Sequence, residues 1–344
     1  MVYPLFFIAF AFLFFFGLGL WLSGPKYRGP VSDHFDGKKF INPGNVEAKG
    51  MKDVLKWMLN RQKGEWKELK DMPYGEKPES RIDSGIRITF INHTSFLIQV
   101  DGINILTDPV YSKRASPFTW SGPKRMRPPG IRFDDLPPID LVLLSHNHYD
   151  HLDLDIIKKL HDKFHPNIYT ALGIRSLLAK NGISKSVDMD WWNEEAFNNN
   201  LKIVALPAQH FSGRGMFDRD ATLWCGFAIK CREGNIYFAA DTGYNEASFK
   251  EIGRRFSPIR LSILPIGAYK PKWFMQPVHC SPDEAVKIHL DVKSKTSIGS
   301  HFGTFPLADE GMAEPVTDLK NALKEMNVPE NDFIVLKEGT WMQF

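Results

Sequence analysis

Cysteine is scarce in this chain: Cys225, Cys231 and Cys280 are the only three among 344 residues. An odd, widely spread set builds no disulfide framework and fits a reducing compartment. An excess of one charge is missing as well. Lys and Arg number 43 against 40 Asp and Glu, a net charge of +3, too mild to mark a nucleic-acid binder. No internal repeat at a solenoid period runs along the chain. The N-terminal stretch MVYPLFFIAFAFLFFFGLGLWLSG has no Lys or Arg before its apolar run and no A-x-A pattern after it, which argues against a cleaved signal peptide.

What that stretch does have is length. From Val2 to Leu22 there is no charged residue, and about 21 residues of helix at ~1.5 Å each span roughly 31 Å, one hydrocarbon core. An uncleaved N-terminal transmembrane helix is expected, within an anchor segment 1–24, with Trp21 at the interface. Lys26, Arg28, Lys38 and Lys39 follow it, so the positive-inside rule places the remainder in the cytoplasm, as a single-pass membrane protein. Residues 25–80 are expected to be a linker with a basic amphipathic helix. In GMKDVLKWMLNRQKGEWKELK, Met51, Val54, Leu55 and Met58 recur at i, i+3, i+4 and i+7, and the other face is mostly Lys. Two readings fit: a helix packed on the domain by its apolar face, or one lying on an anionic bilayer with Trp57 and Trp66 at the interface.

Residues 81–344 carry the texture of an α/β catalytic domain. GIRITFI, SFLIQV and INILTDPV are strand-like, with a hairpin turn at Asp101-Gly102. Beyond a long loop, strands alternate with helices expected from about Asp153, Ile174, Asn245 and Ser281, and near the C-terminus. The helix at Ser281 has Pro282 at its first position and Glu284 placed for a capping box, which leaves His279 in the loop before it. The long loop holds Lys113, Arg114, Lys124, Arg125, Arg127 and Arg132 among Phe118 and Trp120. It is either a solvated basic loop or one that engages anionic lipid head groups.

SHNHYDH, residues 145–151, directly follows the apolar strand pattern PPIDLVLL. A tight turn there can direct His146 and His148 to one cation and Asp150 with His151 to another. Imidazole and carboxylate suit Zn²⁺. Two metals ~4 Å apart need about seven protein ligands plus a bridging water. The missing ones stand at equivalent places: His210 after KIVALPAQ, Asp241 after NIYFAA and His301 after KTSIGS. Strand ends along one sheet edge are where α/β folds build sites.

From about Asp83 to the C-terminal region the chain resembles the N-acylphosphatidylethanolamine-hydrolysing phospholipase D family of metallo-β-lactamase-fold hydrolases. LTDPVYSKRASPFTWSGPKRMRPP, LPPIDLVLLSHNHYDHLD, AADTGYNEASFKEIGRRF, PIGAYKPKWFM, HCSPDEAVKIH and HFGTF carry the likeness. The resemblance implies an αββα sandwich with two Zn²⁺ ions between its sheets. One zinc would take His146, His148 and His210, the other Asp150, His151 and His301, and Asp241 would bridge both. Tyr149 and His279 match positions near the substrate head group, and Asp108 and His93 match residues that orient ligands through hydrogen bonds. Val278 stands where the family has a polar residue, and the apolar N-terminus differs from that of the animal enzymes.

The activity implied is zinc-dependent cleavage of N-acylphosphatidylethanolamine to N-acylethanolamine and phosphatidic acid, by hydroxide held between two zincs. Asp150 would orient the hydroxide, and His279 or Tyr149 would position the phosphate or assist the leaving alcohol. The expected partners are a phospholipid substrate and a membrane, with a homodimer allowed and nucleic acid not expected. The rivals are a lactonase or another phosphodiesterase of the same fold, and a non-enzymatic zinc-containing membrane-bound binding protein.

Overall fold

The computed structural model describes residues 13, 14 and 16–344. Among the described residues no helix is long and apolar enough to cross a membrane. The transmembrane helix expected over residues 2–22 lies largely outside them and is not supported by those described, of which 13, 14 and 16–22 are helical. This helical stretch rests on the loop that follows His210. Ser23 Oγ accepts from the Phe217 amide at 3.0 Å, and the Gly24 amide donates to Asp218 Oδ2 at 2.7 Å.

The first sheet begins with β1 (Ile86–Asn92), β2 (Ser95–Val100) and β3 (Ile103–Thr107), an antiparallel meander. Asp101 and Gly102 turn the second hairpin at φ 51° and 74°, the two successive left-handed residues that a two-residue hairpin loop demands. It continues in parallel through β4 (Leu141–Leu144), β5 (Asn167–Ala171) and β6 (Ser186–Met189). The second sheet contains β7 (Glu194–Ala196), β8 (Lys202–Leu206), β9 (Gly226–Cys231), β10 (Gly234–Phe238), β11 (Ile259–Pro265), β12 (Ser294–Ser300) and β13 (Phe333–Ile334), in the order β13-β12-β11-β10-β9-β8-β7. The chain then closes the first sheet, as β14 (Trp341–Gln343) pairs with β1.

One apolar core joins the two sheets, with Phe90 and Phe96 from the first and Phe227 and Phe238 from the second. Beyond the N-terminal helical stretch, the α-helices among the described residues are α1 (Met51–Leu59), α2 (Leu154–Phe164), α3 (Ile174–Lys180), α4 (Glu246–Phe256), α5 (Lys272–Met275), α6 (Pro282–Asp291) and α7 (Glu314–Glu325). α3 lies against β5 and β6, and α6 against β11 and β12. This is the expected two-sheet α/β architecture. The anticipated capping box is present, the Ser281 amide donating to Glu284 Oε2 at 3.0 Å, and the structure adds caps by Asp153 on α2 and Asn245 on α4.

The edge strands β6, β7, β13 and β14 were not legible in the sequence, because short strands at a sheet edge carry little apolar alternation; β14 is exposed throughout. Within the apolar run TLWCGFAIKC, β9 starts only at Gly226. The residues before it are used elsewhere: the Trp224 indole donates to Asn42 Oδ1 and the Ala208 carbonyl, and the Cys225 amide to the Ser145 carbonyl.

Residues 25–80 lie along this body. Phe35 and Phe40 are buried in the main core, and the amides of Gly64, Leu69 and Gly75 bond to the carbonyls of Asp309, Met126 and Gly130. The basic loop is held inward at two of its arginines. Arg125 is buried and donates to the carbonyls of Val110 and Ser112, and Arg127 pairs with Glu338 at 2.8 Å. These two cations brace the loop.

Candidate metal centre

The side chains singled out at the strand ends meet at one edge of the two sheets. β4 ends at Leu144 and releases Ser145–His151; His210, Asp241 and His301 follow β8, β10 and β12. The backbone bends sharply to deliver them. His93, Asp108, Ala240 and His301 all have positive φ, 51°, 33°, 53° and 57°, a conformation that non-glycine residues hold only when their surroundings compel it. Gly267 makes room: a Cβ there would collide with the His301 carbonyl.

Two neighbouring groups result. His146 Nε2 and His210 Nε2 lie 2.9 and 3.2 Å from His148 Nδ1. Beside this triad, Asp241 Oδ2 lies 3.1 Å from His301 Nε2, 3.2 Å from His151 Nε2 and 3.6 Å from His210 Nε2. Asp150 Oδ2 lies 3.4 and 3.5 Å from the same His301 and His151 nitrogens. Asp241 therefore touches both groups, and separations of this size are those of ligands at ~2.1 Å around a common ion.

The outer ring nitrogens settle the tautomers. His151 Nδ1 donates to Asp108 Oδ2 at 2.8 Å and His210 Nδ1 to the Val278 carbonyl at 2.9 Å. Ser145 Oγ gives its proton to Asp108 Oδ2 at 2.6 Å, so it accepts from His146 Nδ1 at 2.9 Å. Each bond keeps a ring proton on Nδ1 and turns Nε2 inward, where a bound cation would take the place of any second proton. His151 Nε2, His301 Nε2 and Asp241 Oδ1 are buried without a hydrogen-bond partner. Buried polar atoms are ordinarily paired, so the donor set fits a metal ion on the chain's own geometry.

Electrostatics agree. Burial drives His146 and His210 well below the ordinary imidazole value, and His148 down to about 4. Burial alone would also lower His301, but Asp241 and Asp150 outweigh it and push it up to about 9. Burial would raise Asp241, but His151 and His301 hold it well below the carboxylate range. The second group is one of carboxylates balanced only by cationic partners.

The remaining expected residues divide. Asp108 lies on His151, and His93 Nε2 is 3.1 Å from Asp150 Oδ2. His279 belongs to the cluster, its Nδ1 3.9 Å from Asp241 Oδ2 and without a hydrogen-bond partner. Tyr149 does not join the imidazoles. Its ring lies under the Arg214 guanidinium at 3.9 Å and lines a cavity of about 340 Å³ with Arg114, Arg214 and Trp21.

Two contributors carried no sequence signal. Asn42 brackets the His210 backbone, accepting from its amide and donating to its carbonyl at 2.8 Å each. Arg214 donates to the carbonyls of Asn147 and Leu152 at 2.9 and 3.0 Å, holding the ligand-bearing turn at both ends. Neither FINPGN nor FSGRGM has a motif that marks such a role.

Comparison with known proteins places this geometry in context. A family model described as the β-lactamase superfamily domain matches residues 103–302. An N-acyl-phosphatidylethanolamine-hydrolyzing phospholipase D 1 of Caenorhabditis elegans is 38% identical over 272 residues, 75% of this chain and 75% of that protein. An uncharacterized protein of Mycobacterium tuberculosis is 39% identical over 312 residues, 89% of this chain and 82% of its own. Among solved structures, a metallo hydrolase of Ignicoccus hospitalis superposes with a TM-score of 0.59 at 19% identity, covering 76% of this chain and 99% of that one. That last likeness concerns the fold alone.

Proposed function

This chain belongs to the β-lactamase superfamily, in the group of metal-dependent hydrolases that includes the N-acyl-phosphatidylethanolamine-hydrolysing phospholipases D, and from that premise we propose that it is a phospholipase D-type phosphodiesterase. Its substrate is N-acylphosphatidylethanolamine and its products are N-acylethanolamine and phosphatidic acid. The observation that carries the proposal is the pair of ligand groups sharing Asp241, whose Oδ2 lies 3.1 Å from His301 and 3.6 Å from His210.

His146, His148 and His210 would hold one Zn²⁺ and Asp150, His151 and His301 the other, with Asp241, which reaches both groups, available to each. Metal ions bound there would supply a lowered pKa for water and neutralisation of charge on the phosphodiester oxygens. The chain's own groups do the rest. Asp108 fixes the ring of His151 and keeps its proton on Nδ1. His93 holds Asp150, which orients the attacking water besides ligating. His279, at the rim of both groups, positions the phosphate or hands a proton to the ethanolamine-side oxygen as that alcohol leaves. Tyr149, set by Arg214, contacts the head group from the adjoining cavity. The apolar stretch over residues 2–22 anchors the enzyme in the membrane that holds its substrate, with the catalytic domain on the cytoplasmic side.

The test is product analysis by mass spectrometry, with zinc-loaded protein and N-acylphosphatidylethanolamine in mixed micelles and Asp150→Asn as control. Phosphatidic acid plus N-acylethanolamine from the wild type alone is the expected result. Absence of turnover by protein that binds two zincs would move the substrate to another phosphodiester or to a lactone.

A further inference from the structure

The amphipathic helix α1 faces the wrong way for a packed helix. Met51, Leu55, Met58 and Leu59 are 71%, 54%, 62% and 85% exposed, and no residue of the helix is fully buried. The orientation is set by Trp57. Its ring stacks on Phe274 at 4.9 Å and its indole donates to Asp309 Oδ2 at 3.0 Å. Arg61 lies over the same ring at 4.4 Å and bonds to Asp309 Oδ1 at 2.7 Å. With Trp57 turned inward, the apolar stripe on the other side of the helix points out.

That stripe has a border. Trp273, 43% exposed, extends it beyond the helix, and Lys56 Nζ lies 4.9 Å from its ring. Lys52, Lys56, Lys63 and Lys67 are exposed along the same segment. Contiguous exposed apolar side chains mark an interaction surface, and an apolar stripe flanked by lysines and tryptophan is the pattern of a helix lying in a lipid interface.

Its position ties it to the metal centre from two sides. α5, on which Trp57 stacks, leads within a few residues to Val278, whose carbonyl holds His210, and to His279. At the other end the Arg219 guanidinium bonds to the Lys49 carbonyl at 3.0 Å and lies 5.0 Å over Phe211, whose ring packs at 4.4 Å against that of His148. A surface resting on α1 would border the mouth of the site.

We propose that the outer face of α1, continued by Trp273, docks the domain on an anionic phospholipid bilayer, independently of any N-terminal anchor, so that a lipid head group reaches the metal centre without leaving the bilayer. Delivery of substrate rests on the phospholipase reading above; docking does not.

The test uses the full chain with an environment-sensitive dye at Leu55→Cys in a Cys231→Ser background, since Cys225 and Cys280 are buried. A second label at Lys185→Cys, beside the start of β6 and away from the metal centre, is the control. On adding vesicles of phosphatidylcholine with phosphatidylglycerol, the dye at 55 is expected to shift blue and to be quenched by brominated lipid, with a smaller response on phosphatidylcholine alone and none at 185. No change at 55 overturns docking. A blue shift without lipid that grows with protein concentration assigns the face to a second copy and also overturns it. In Leu55→Glu/Met58→Glu, turnover of vesicle-borne substrate is expected to fall roughly tenfold, as loss of interfacial burial predicts, while turnover of a short-chain, monomeric analogue holds. An equal fall on both substrates overturns delivery. A wild type inactive on either lipid refutes the phospholipase reading and leaves the dye to decide docking.

Discussion

The metal centre and α1 each leave side chains in surroundings that folding alone avoids, in opposite senses. At the centre, polar atoms such as His301 Nε2 and Asp241 Oδ1 are buried without a hydrogen-bond partner. On α1, Met51 and Leu59 are apolar and lie in the open. Unpaired buried donors and acceptors cost about 1–3 kcal/mol each, and uncovered apolar area forgoes ~25 cal/mol per Å². In each place something outside the chain can make good the deficit, a cation in the first and a lipid surface in the second. The difference is one of rigidity. The centre is fixed by hydrogen bonds with Asp108, Ser145, Val278 and Asn42, whereas α1 hangs chiefly on Trp57 and its contacts with Phe274, Asp309 and Arg61.

The largest effect should come from removing the shared ligand. Asp241→Asn takes the charge that both groups use, and kcat/KM is expected to fall by about 10³-fold, the scale of losing a key electrostatic contact. Metal analysis should show fewer than two bound ions. Two ions retained with full activity would break the assignment of Asp241 as the bridge. Chelation of the wild type should also lower its melting temperature, since an ion held at 100 times its Kd adds ~2.7 kcal/mol to stability.

A step smaller is Asp108→Asn. The amide keeps the shape but no longer offers two anionic oxygens to His151 and Ser145. Loss of such an orienting partner typically costs about 10–100-fold in metal affinity or activity. A competition titration with a zinc indicator measures it, and an unchanged affinity would show that the imidazole tautomers are set by other means.

The sequence disclosed these two places unequally. H-x-H-x-D-H and the single His or Asp after each later strand are local patterns, and their chemistry survives whatever the loops do. α1 shows the limit of that logic. Its periodicity predicts an apolar face, but which way that face turns depends on Asp309, 252 residues after Trp57, and no local pattern encodes that. Asn42 and His210, 168 residues apart, are hidden for the same reason. Arg125 misleads in the other direction: within a basic loop it looks solvated, yet it is buried on two carbonyls. The edge strands were illegible because partner strands, not their own residues, define them.

If α1 is attached chiefly through Trp57, then Trp57→Ala should release it. Nine residues make too short a helix to persist alone in water. Hydrogen exchange of the Met51–Leu59 amides should accelerate sharply, while global stability falls by about 1–3 kcal/mol for the lost packing and indole hydrogen bond. Slow exchange retained in the variant would mean that Arg219 and the Lys49 carbonyl suffice to hold the segment.

The smallest effect is the most discriminating for α1. Leu55→Ser removes an apolar side chain that is more than half exposed, so chemical denaturation of the detergent-free protein should change by no more than about 0.5 kcal/mol. For a core leucine of β2 such as Leu97, fully buried, the corresponding truncation should cost roughly 2–5 kcal/mol. The two substitutions remove similar apolar groups, and only their surroundings differ. A loss at Leu55 approaching that at Leu97 would show that this face is covered by the chain itself, and the lipid surface would no longer be needed to explain it.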